Sequence, residues 1–234
     1  VGVSIALLGI LSGLFIHHQE VTRGTSNEKT KAFSPFKVTT TIPAKGEFDF
    51  KTFNSFLGAG VSVFDYDQDG LQDILLPGDH GARLFKNKGG MRFQDETAAS
   101  GIDGNLNSMA GIWGDYDNDG LPDLYLVNYR GKDNKAASNR LYKNLGKGKF
   151  KDVTQTMQLT ERDLSSSAAW ADFDNDGDLD LFVANYGRIW VHDNKAIHGE
   201  SQTDRLYRND GNKFTDITDK AGVVGVNLQT NKLC

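Results

Sequence analysis

One nine-residue segment occurs three times in the chain. It reads D-x-D-x-D-G-x-x-D and occupies residues 65–73, 115–123 and 172–180. Each copy follows a run of small residues with an aromatic near its end (GAGVSVF, AGIWG, SSAAWA) and precedes an apolar run (ILLP, LYLVNY, LFVANY). A second motif recurs downstream as RLFKN at 83–87, RLYKN at 140–144 and RLYRN at 205–209. A glycine-bearing turn then leads into F-x-D-x-T, starting at Phe93, Phe150 and Phe214. Self-similarity of this kind marks an array built from one supersecondary unit. Short apolar runs separated by Gly/Asn turns read as strands and hairpins.

The spacings divide the unit into two halves. From each hairpin arginine to the next loop's first aspartate is 32 residues, Arg83 to Asp115 and Arg140 to Asp172. From first aspartate to following arginine the distance grows from 18 to 25 to 33 residues. Insertions in repeat arrays collect in loops on one face, often the binding face, so segments 131–139 and 187–204 are candidate surface loops. About four strands in about 50 residues is the content of a propeller blade. No long stretch has a 3.6-residue period, which argues against helical solenoids. The 26 glycines against 4 prolines fit a chain of many tight turns. The expected fold class is all-β, a partial β-propeller with the aspartate loops between strands. Phe36-Lys37-Val38-Thr39 reads as a degenerate F-x-D-x-T, so that the chain enters midway through a blade.

Carboxylates at loop positions 1, 3 and 5 can converge from a tightly wound backbone, and glycine at position 6 permits the turn. A backbone carbonyl at position 7 and a carboxylate at position 9 complete a shell of hard oxygen ligands suited to Ca²⁺. The predicted ligands are Asp65, Asp67, Asp69, Leu71 and Asp73; Asp115, Asp117, Asp119, Leu121 and Asp123; and Asp172, Asp174, Asp176, Asp178 and Asp180. About three calcium ions are expected, one per loop, with extracellular-type affinities of about 10⁻⁴–10⁻³ M. An EF-hand needs a bidentate Glu at position 12, where this chain has Leu76, Leu126 and Val183. The bland alternative is an Asx-rich turn without metal. Against it, four or five aspartates within nine residues repel one another without a cation. The loops hold 13 of the 31 acidic residues, and three divalent cations would move the net charge from −5 to about +1. An acidic chain of this kind is not a nucleic-acid surface.

Residues 1–16 are uncharged and almost wholly apolar. As a helix they rise about 24 Å, short of a bilayer core of about 30 Å. Signal-peptide core, retained anchor and ordinary core element compete here; a retained anchor with export is the favoured expectation. Residues 17–35 read as a polar linker, and residues 226–234 as the truncated start of a further repeat. The single cysteine, Cys234, excludes an internal disulfide and a CxxC zinc site.

The unit GAGVSVFDYDQDGLQDILL, with AGIWGDYDNDGLPDLYLVNY and SSAAWADFDNDGDLDLFVANY, resembles the FG-GAP/VCBS repeat. The segments RLYKNLGKGKFKDVT and RLYRNDGNKFTDITDKAGV resemble the cartilage-acidic-protein (ASPIC/UnbV) branch. The resemblance covers residues 36–225 and implies integrin-α-like β-propeller blades with calcium in the aspartate loops. Such propellers are generally seven-bladed and this chain has three loops; the ASPIC/UnbV segment is absent.

The expected function is a calcium-stabilised, extracytoplasmic domain, secreted or membrane-anchored. Its role is adhesion or recognition of a protein or glycan ligand through the variable loops, with no enzyme activity. The alternatives are a polysaccharide-active enzyme using His192, Asp193, His198 and Glu200, and a structural spacer. His17, His18 and His80 carry no motif, and no P-loop, dinucleotide fingerprint or catalytic triad is present. Phe64, Trp113 and Trp170 are expected to pack between blades. Arg83, Arg140 and Arg205 are expected to pair with Asp95, Asp152 and Asp216.

Overall fold

The computed structural model describes residues 60–78, 81–103, 105–130, 138–186, 189–192, 195–198, 202–223, 226–227 and 232–233. The expectations for residues 1–16, 17–35 and 36–39, His80, Asp193, Glu200 and Cys234 lie outside them.

Each repeat forms a four-stranded antiparallel sheet, and the described residues are all-β apart from two helical turns. The first sheet is β1 (Ser62–Phe64), β2 (Asp73–Leu76), β3 (Arg83–Asn87) and β4 (Phe93–Asp95). The second is β5 (Asn107–Gly114), β6 (Asp123–Arg130), β7 (Arg140–Asn144) and β8 (Phe150–Asp152). The third takes β9 (Ser165–Ala171) and β10 (Asp180–Asn185), then β13 (Arg205–Asn209) and β14 (Phe214–Asp216). Its 187–204 insertion carries a separate hairpin, β11 (Ile189–His192) with β12 (Lys195–His198). A last short pair joins β15 (Val226–Asn227) to β16 (Lys232–Leu233). The sheets are blade-like and the architecture is propeller-like; the described residues form no closed ring.

Every aspartate loop joins the first strand of its sheet to the second. The closing pairs are Phe64 with Asp73, Gly114 with Asp123, and Ala171 with Asp180. The three loops therefore occupy the same corner of three successive units.

Side-chain alternation explains the core. On β6, Leu124 and Leu126 face the first sheet with Tyr66, Leu75 and Leu84. Their neighbours Tyr125 and Val127 face the third, with Leu181, Val183, Tyr207 and Phe214. Successive side chains of a strand point to opposite faces, so a strand packed on both sides is buried continuously, as residues 122–129 are. In β2 only alternate residues, Asp73 and Leu75, are buried.

The aromatics expected between blades are there. Trp113 stacks on Phe64 at 5.8 Å and on Tyr66 at 6.3 Å. Trp170 repeats the arrangement on Tyr116 at 6.4 Å and meets Tyr125 edge-on at 6.0 Å. The indole of Trp170 reaches the backbone of Gly114, where a Cβ would stand 2.6 Å from the ring. Phe173, at the position of Tyr66 and Tyr116, is 49% exposed, against 1% and 4% for those two. Among the described residues no further sheet covers it.

The three arginines pair as expected: Arg83 with Asp95, Arg140 with Asp152 at 3.3 Å, and Arg205 with Asp216 at 3.0 Å. The other oxygen of each aspartate accepts from the threonine of F-x-D-x-T; Thr97, Thr154 and Thr218 donate both N–H and O–H to it. Each threonine hydroxyl in turn accepts the N–H of Leu84, Leu141 or Leu206. Side-chain turns of this type compete with strand pairing. They end β4 and β14, and the helical turns α1 (Thr97–Ser100) and α2 (Thr218–Ala221) begin there, elements the strand-only reading lacked. No helix among the described residues is long and apolar enough to cross a membrane.

Candidate metal centre

The loop is wound by its own first aspartate. Both oxygens of Asp65 accept backbone N–H groups, from Asp69 at 3.0 Å and Gly70 at 2.8 Å. Asp115 does the same with Asp119 and Gly120, and Asp172 with Asp176 and Gly177. Two left-handed residues make this possible. Position 4 has φ of 57° at Gln68, 55° at Asn118 and 61° at Asn175, and position 6 has 85°, 85° and 96° at Gly70, Gly120 and Gly177. Only glycine enters that region freely.

The last aspartate closes the loop. Asp73 accepts from Asn87 N–H at 2.7 Å and Tyr66 N–H at 3.3 Å. Asp123 accepts from Asn144 and Tyr116, and Asp180 from Asn209 and Phe173. Burial pushes the Asp73 carboxyl up to about 6 and that of Asp123 up to about 7, with the nearby Asp67 and Asp117 charges adding and the N–H donors opposing.

Three aspartate trios result: Asp65, Asp67 and Asp73; Asp115, Asp117 and Asp123; Asp172, Asp174 and Asp180. Within each, one carboxylate oxygen from every residue lies within 4.8 Å of the others, a spacing able to hold a metal ion. The predicted position-5 ligands, Asp69, Asp119 and Asp176, stand outside the trios. Their Oδ1 atoms accept the N–H groups of the position-7 residues Leu71, Leu121 and Asp178 at 2.9, 2.9 and 3.0 Å. In the first two loops one position-3 oxygen, Asp67 Oδ1 or Asp117 Oδ1, is buried without a hydrogen-bond partner.

Successive loops are tied together. Gln68 Nε2 donates to the Gly120 carbonyl at 2.7 Å, and Asn118 Nδ2 donates to Asp178 Oδ1 at 2.7 Å and the Gly177 carbonyl at 3.3 Å.

Several asparagines had no role assigned from sequence. The one ending the second and the third R-L-aromatic motif reaches into the preceding sheet: Asn144 Nδ2 donates to the Tyr66 carbonyl at 2.9 Å and Asn209 Nδ2 to the Tyr116 carbonyl at 2.8 Å. Asn128 and Asn185 clamp the bases of the variable insertions. Asn128 donates its N–H to Asn139 Oδ1 and its amide to the Ser138 carbonyl; Asn185 donates likewise to Asp204 and Thr203. The signal was present as the repeated Asn-Tyr after β6 and β10, in LYLVNY and LFVANY. The histidines of the enzyme alternative do not share one place on their hairpin: His192 pairs with Lys195 beside the turn and His198 with Ile189 at the far end.

An FG-GAP-like repeat model matches residues 65–126 and 115–183, about half of the chain, and each match begins on the first aspartate of a loop. The chain belongs to the FG-GAP-like repeat family. Similar proteins are named Cartilage acidic protein 1: 30% identity over 156 residues in Mus musculus, covering 64% of this chain and 22% of the relative, and 28% over 156 residues in Homo sapiens, covering 64% and 21%. The Xenopus tropicalis protein is 29% identical over 133 residues, 55% of this chain and 20% of the relative. The chain thus spans about a fifth of the length of the relatives it matches. In FG-GAP terms, the repeat unit runs from one aspartate loop through the R-L-aromatic hairpin to the next.

Proposed function

We propose that the chain is a calcium-binding, propeller-type FG-GAP domain that works outside the cytoplasm in adhesion or in recognition of a protein or glycan, with calcium in a structural role and no catalytic step. The observation that carries this reading is the convergence of three carboxylates in each of three successive loops, with Asp67 Oδ1 and Asp117 Oδ1 buried and unpartnered. A buried polar atom without a partner is costly, and carboxylates this close repel. A divalent cation relieves both. The donor set is all carboxylate oxygen, with no imidazole or thiolate, which suits a hard cation.

About one ion per loop is held by positions 1, 3 and 9, namely Asp65, Asp67 and Asp73 and their counterparts. Asp69, Asp119 and Asp176 and the carbonyls of Leu71, Leu121 and Asp178 complete the shell. Bound calcium pins the corner between the first and second strands of each sheet, β1–β2, β5–β6 and β9–β10. The apolar residues 1–16 support export with an anchor, and the word cartilage in the relatives' name supports a place outside the cell. The ligand face is assigned to the insertions 131–139 and 187–204, since there the repeats differ in length.

Thermal unfolding in chelator and in millimolar Ca²⁺ tests the metal reading: the midpoint is expected to rise by several degrees. An unchanged midpoint defeats it. Deleting residues 187–204 with melting intact is expected to abolish ligand binding; retained binding points to a spacer role instead.

A further inference from the structure

The three loops differ in the basic residue that faces them, the fourth of the R-L-aromatic motif. We propose that Lys86 and Lys143 are built-in competitors for the cation in the first and second loops, and that Arg208 leaves the third loop free, so that the third fills first. The proposal rests on the calcium reading above and adds an order of filling to it.

The Lys86 ammonium contacts Asp67 Oδ2 and lies 2.9 Å from Asp69 Oδ2. Lys143 repeats this in the second loop, on Asp117 Oδ2 and at 3.0 Å from Asp119 Oδ2. With the Leu71 N–H on Asp69 Oδ1, both oxygens of Asp69 are engaged, and the same holds for Asp119 with Leu121. At positions 3 and 5 this leaves one unpartnered, buried atom per loop, Asp67 Oδ1 or Asp117 Oδ1. A cation drawing on both carboxylates of either pair has to dislodge the ammonium. The lysine already neutralises part of the charge that attracts the cation.

The third loop is built differently. Arg208 turns to Asp210, with Nε and a terminal nitrogen 2.8 and 2.7 Å from Oδ1. Among the described residues it forms no ion pair with Asp174 or Asp176. The trap exists only here, because the residue after the motif is Asp210 in this repeat but Lys88 and Leu145 in the others. Arg208 is held in a two-point grip that suits guanidinium geometry. The third loop also carries a fifth aspartate, Asp178. A divalent cation is therefore drawn by the charge of five carboxylates, Asp178 being bonded to Asn118, with no competing cation, against four carboxylates and one ammonium in the other two.

Exchanging a partly exposed ion pair for a cation contact corresponds to about a tenfold difference in half-saturation. The amides of Gly70, Gly120 and Gly177 report on each loop separately, since each donates to the first aspartate of its own loop. A Ca²⁺ titration of the whole chain followed by ¹⁵N–¹H correlation spectra is expected to move Gly177 first, at about one tenth of the calcium needed for Gly70 and Gly120. K86M and K143M are expected to lower the midpoints of Gly70 and Gly120 about tenfold. D210N, by releasing Arg208, is expected to raise that of Gly177. One shared midpoint, unmoved by the lysine variants, overturns the competition and leaves calcium binding standing. No movement of any glycine amide up to about 10 mM Ca²⁺, beyond the weakest site range of about 10⁻³ M, overturns both readings. Unchanged resonances from the sheet cores confirm that the variants remain folded.

Discussion

Asn144, the last residue of β7, donates its side-chain amide to the backbone carbonyl of Tyr66 in the preceding sheet at 2.9 Å. The same amide donates to the Pro122 carbonyl at 2.9 Å, and its Oδ1 accepts the Gly146 N–H at 2.9 Å. One fully buried residue thus fastens two sheets and a turn. Asn144→Ala leaves buried carbonyls without donors and is expected to destabilise the chain by about 2–3 kcal/mol. Asn87 stands at the equivalent place in the first repeat, where, among the described residues, its side-chain amide donates to the Gln72 carbonyl of its own repeat. Asn87→Ala is expected to cost about 1 kcal/mol. Urea unfolding of both variants measures the difference, and equal losses would remove the inter-sheet role.

The sheet junctions also depend on one absent side chain. Gly114 lies under the Trp170 indole, and an added Cβ would meet the ring at 2.6 Å. The equivalent residues, Phe64 and Ala171, carry side chains. Gly114→Ala is expected to push Trp170 off its stack on Tyr116, with a loss of about 1–3 kcal/mol. Trp170 near-ultraviolet circular dichroism and urea midpoints read the displacement, and an unperturbed spectrum contradicts it.

The architecture was legible because each repeat states it again. The aspartate loop, the R-L-aromatic strand and F-x-D-x-T recur in the same order, and three sheets with one strand order follow from them. The Arg–Asp pairs were legible for the same reason. Less was visible of what a motif residue touches outside its own unit. Asn144 reaches a carbonyl 78 residues away and Asn209 one 93 residues away, and no local pattern encodes such partners. Nor did the pattern show that Asp69 and Asp119 are turned toward Lys86 and Lys143, because position 5 looks like any other alternating carboxylate. The hairpin inside 187–204 was hidden as well, because the segment differs in length and sequence from its equivalents in the other repeats.

A buried polar chain joins the bases of the two variable insertions. Ser108 Oγ donates to Asn128 Oδ1, Asn139 Nδ2 donates to Ser165 Oγ at 2.9 Å, and Ser165 Oγ donates to Asn185 Oδ1 at 2.7 Å. Removing one member strands its neighbours. Asn128→Ala, at a fully buried position, is expected to destabilise by about 2–4 kcal/mol, since it strips the Ser108 hydroxyl and the Ser138 carbonyl of their partner at once. Ser165→Ala is expected to cost about 1–3 kcal/mol and to speed hydrogen exchange at the Asn185 amide. Exchange at that amide matching the parent protein would show that the two clamps act separately.

The raised carboxyls of Asp73 and Asp123 fix the sign of a pH test. In chelator, the folded chain holds a proton on Asp123 up to about pH 7 and on Asp73 up to about pH 6, while both ordinarily titrate at 3.8. Between these limits the folded state binds more protons than the unfolded one, so stability falls as pH rises. The metal-free protein is therefore expected to melt higher at pH 5 than at pH 7.5. Below about pH 4 the trend turns, because Asp95 and Asp216 sit below the usual carboxylate range. Burial raises both, but hydrogen bonds from Thr97 and Thr218 and from Arg83 and Arg205 outweigh it. Saturating calcium reverses the first window: Asp73 and Asp123 then serve as charged ligands, protons compete with the metal, and lowering pH from 7.5 to 5 removes stability. Melting curves at the two pH values, with and without calcium, give slopes of opposite sign if these aspartates hold the ion. Slopes of the same sign in both conditions would exclude them as ligands.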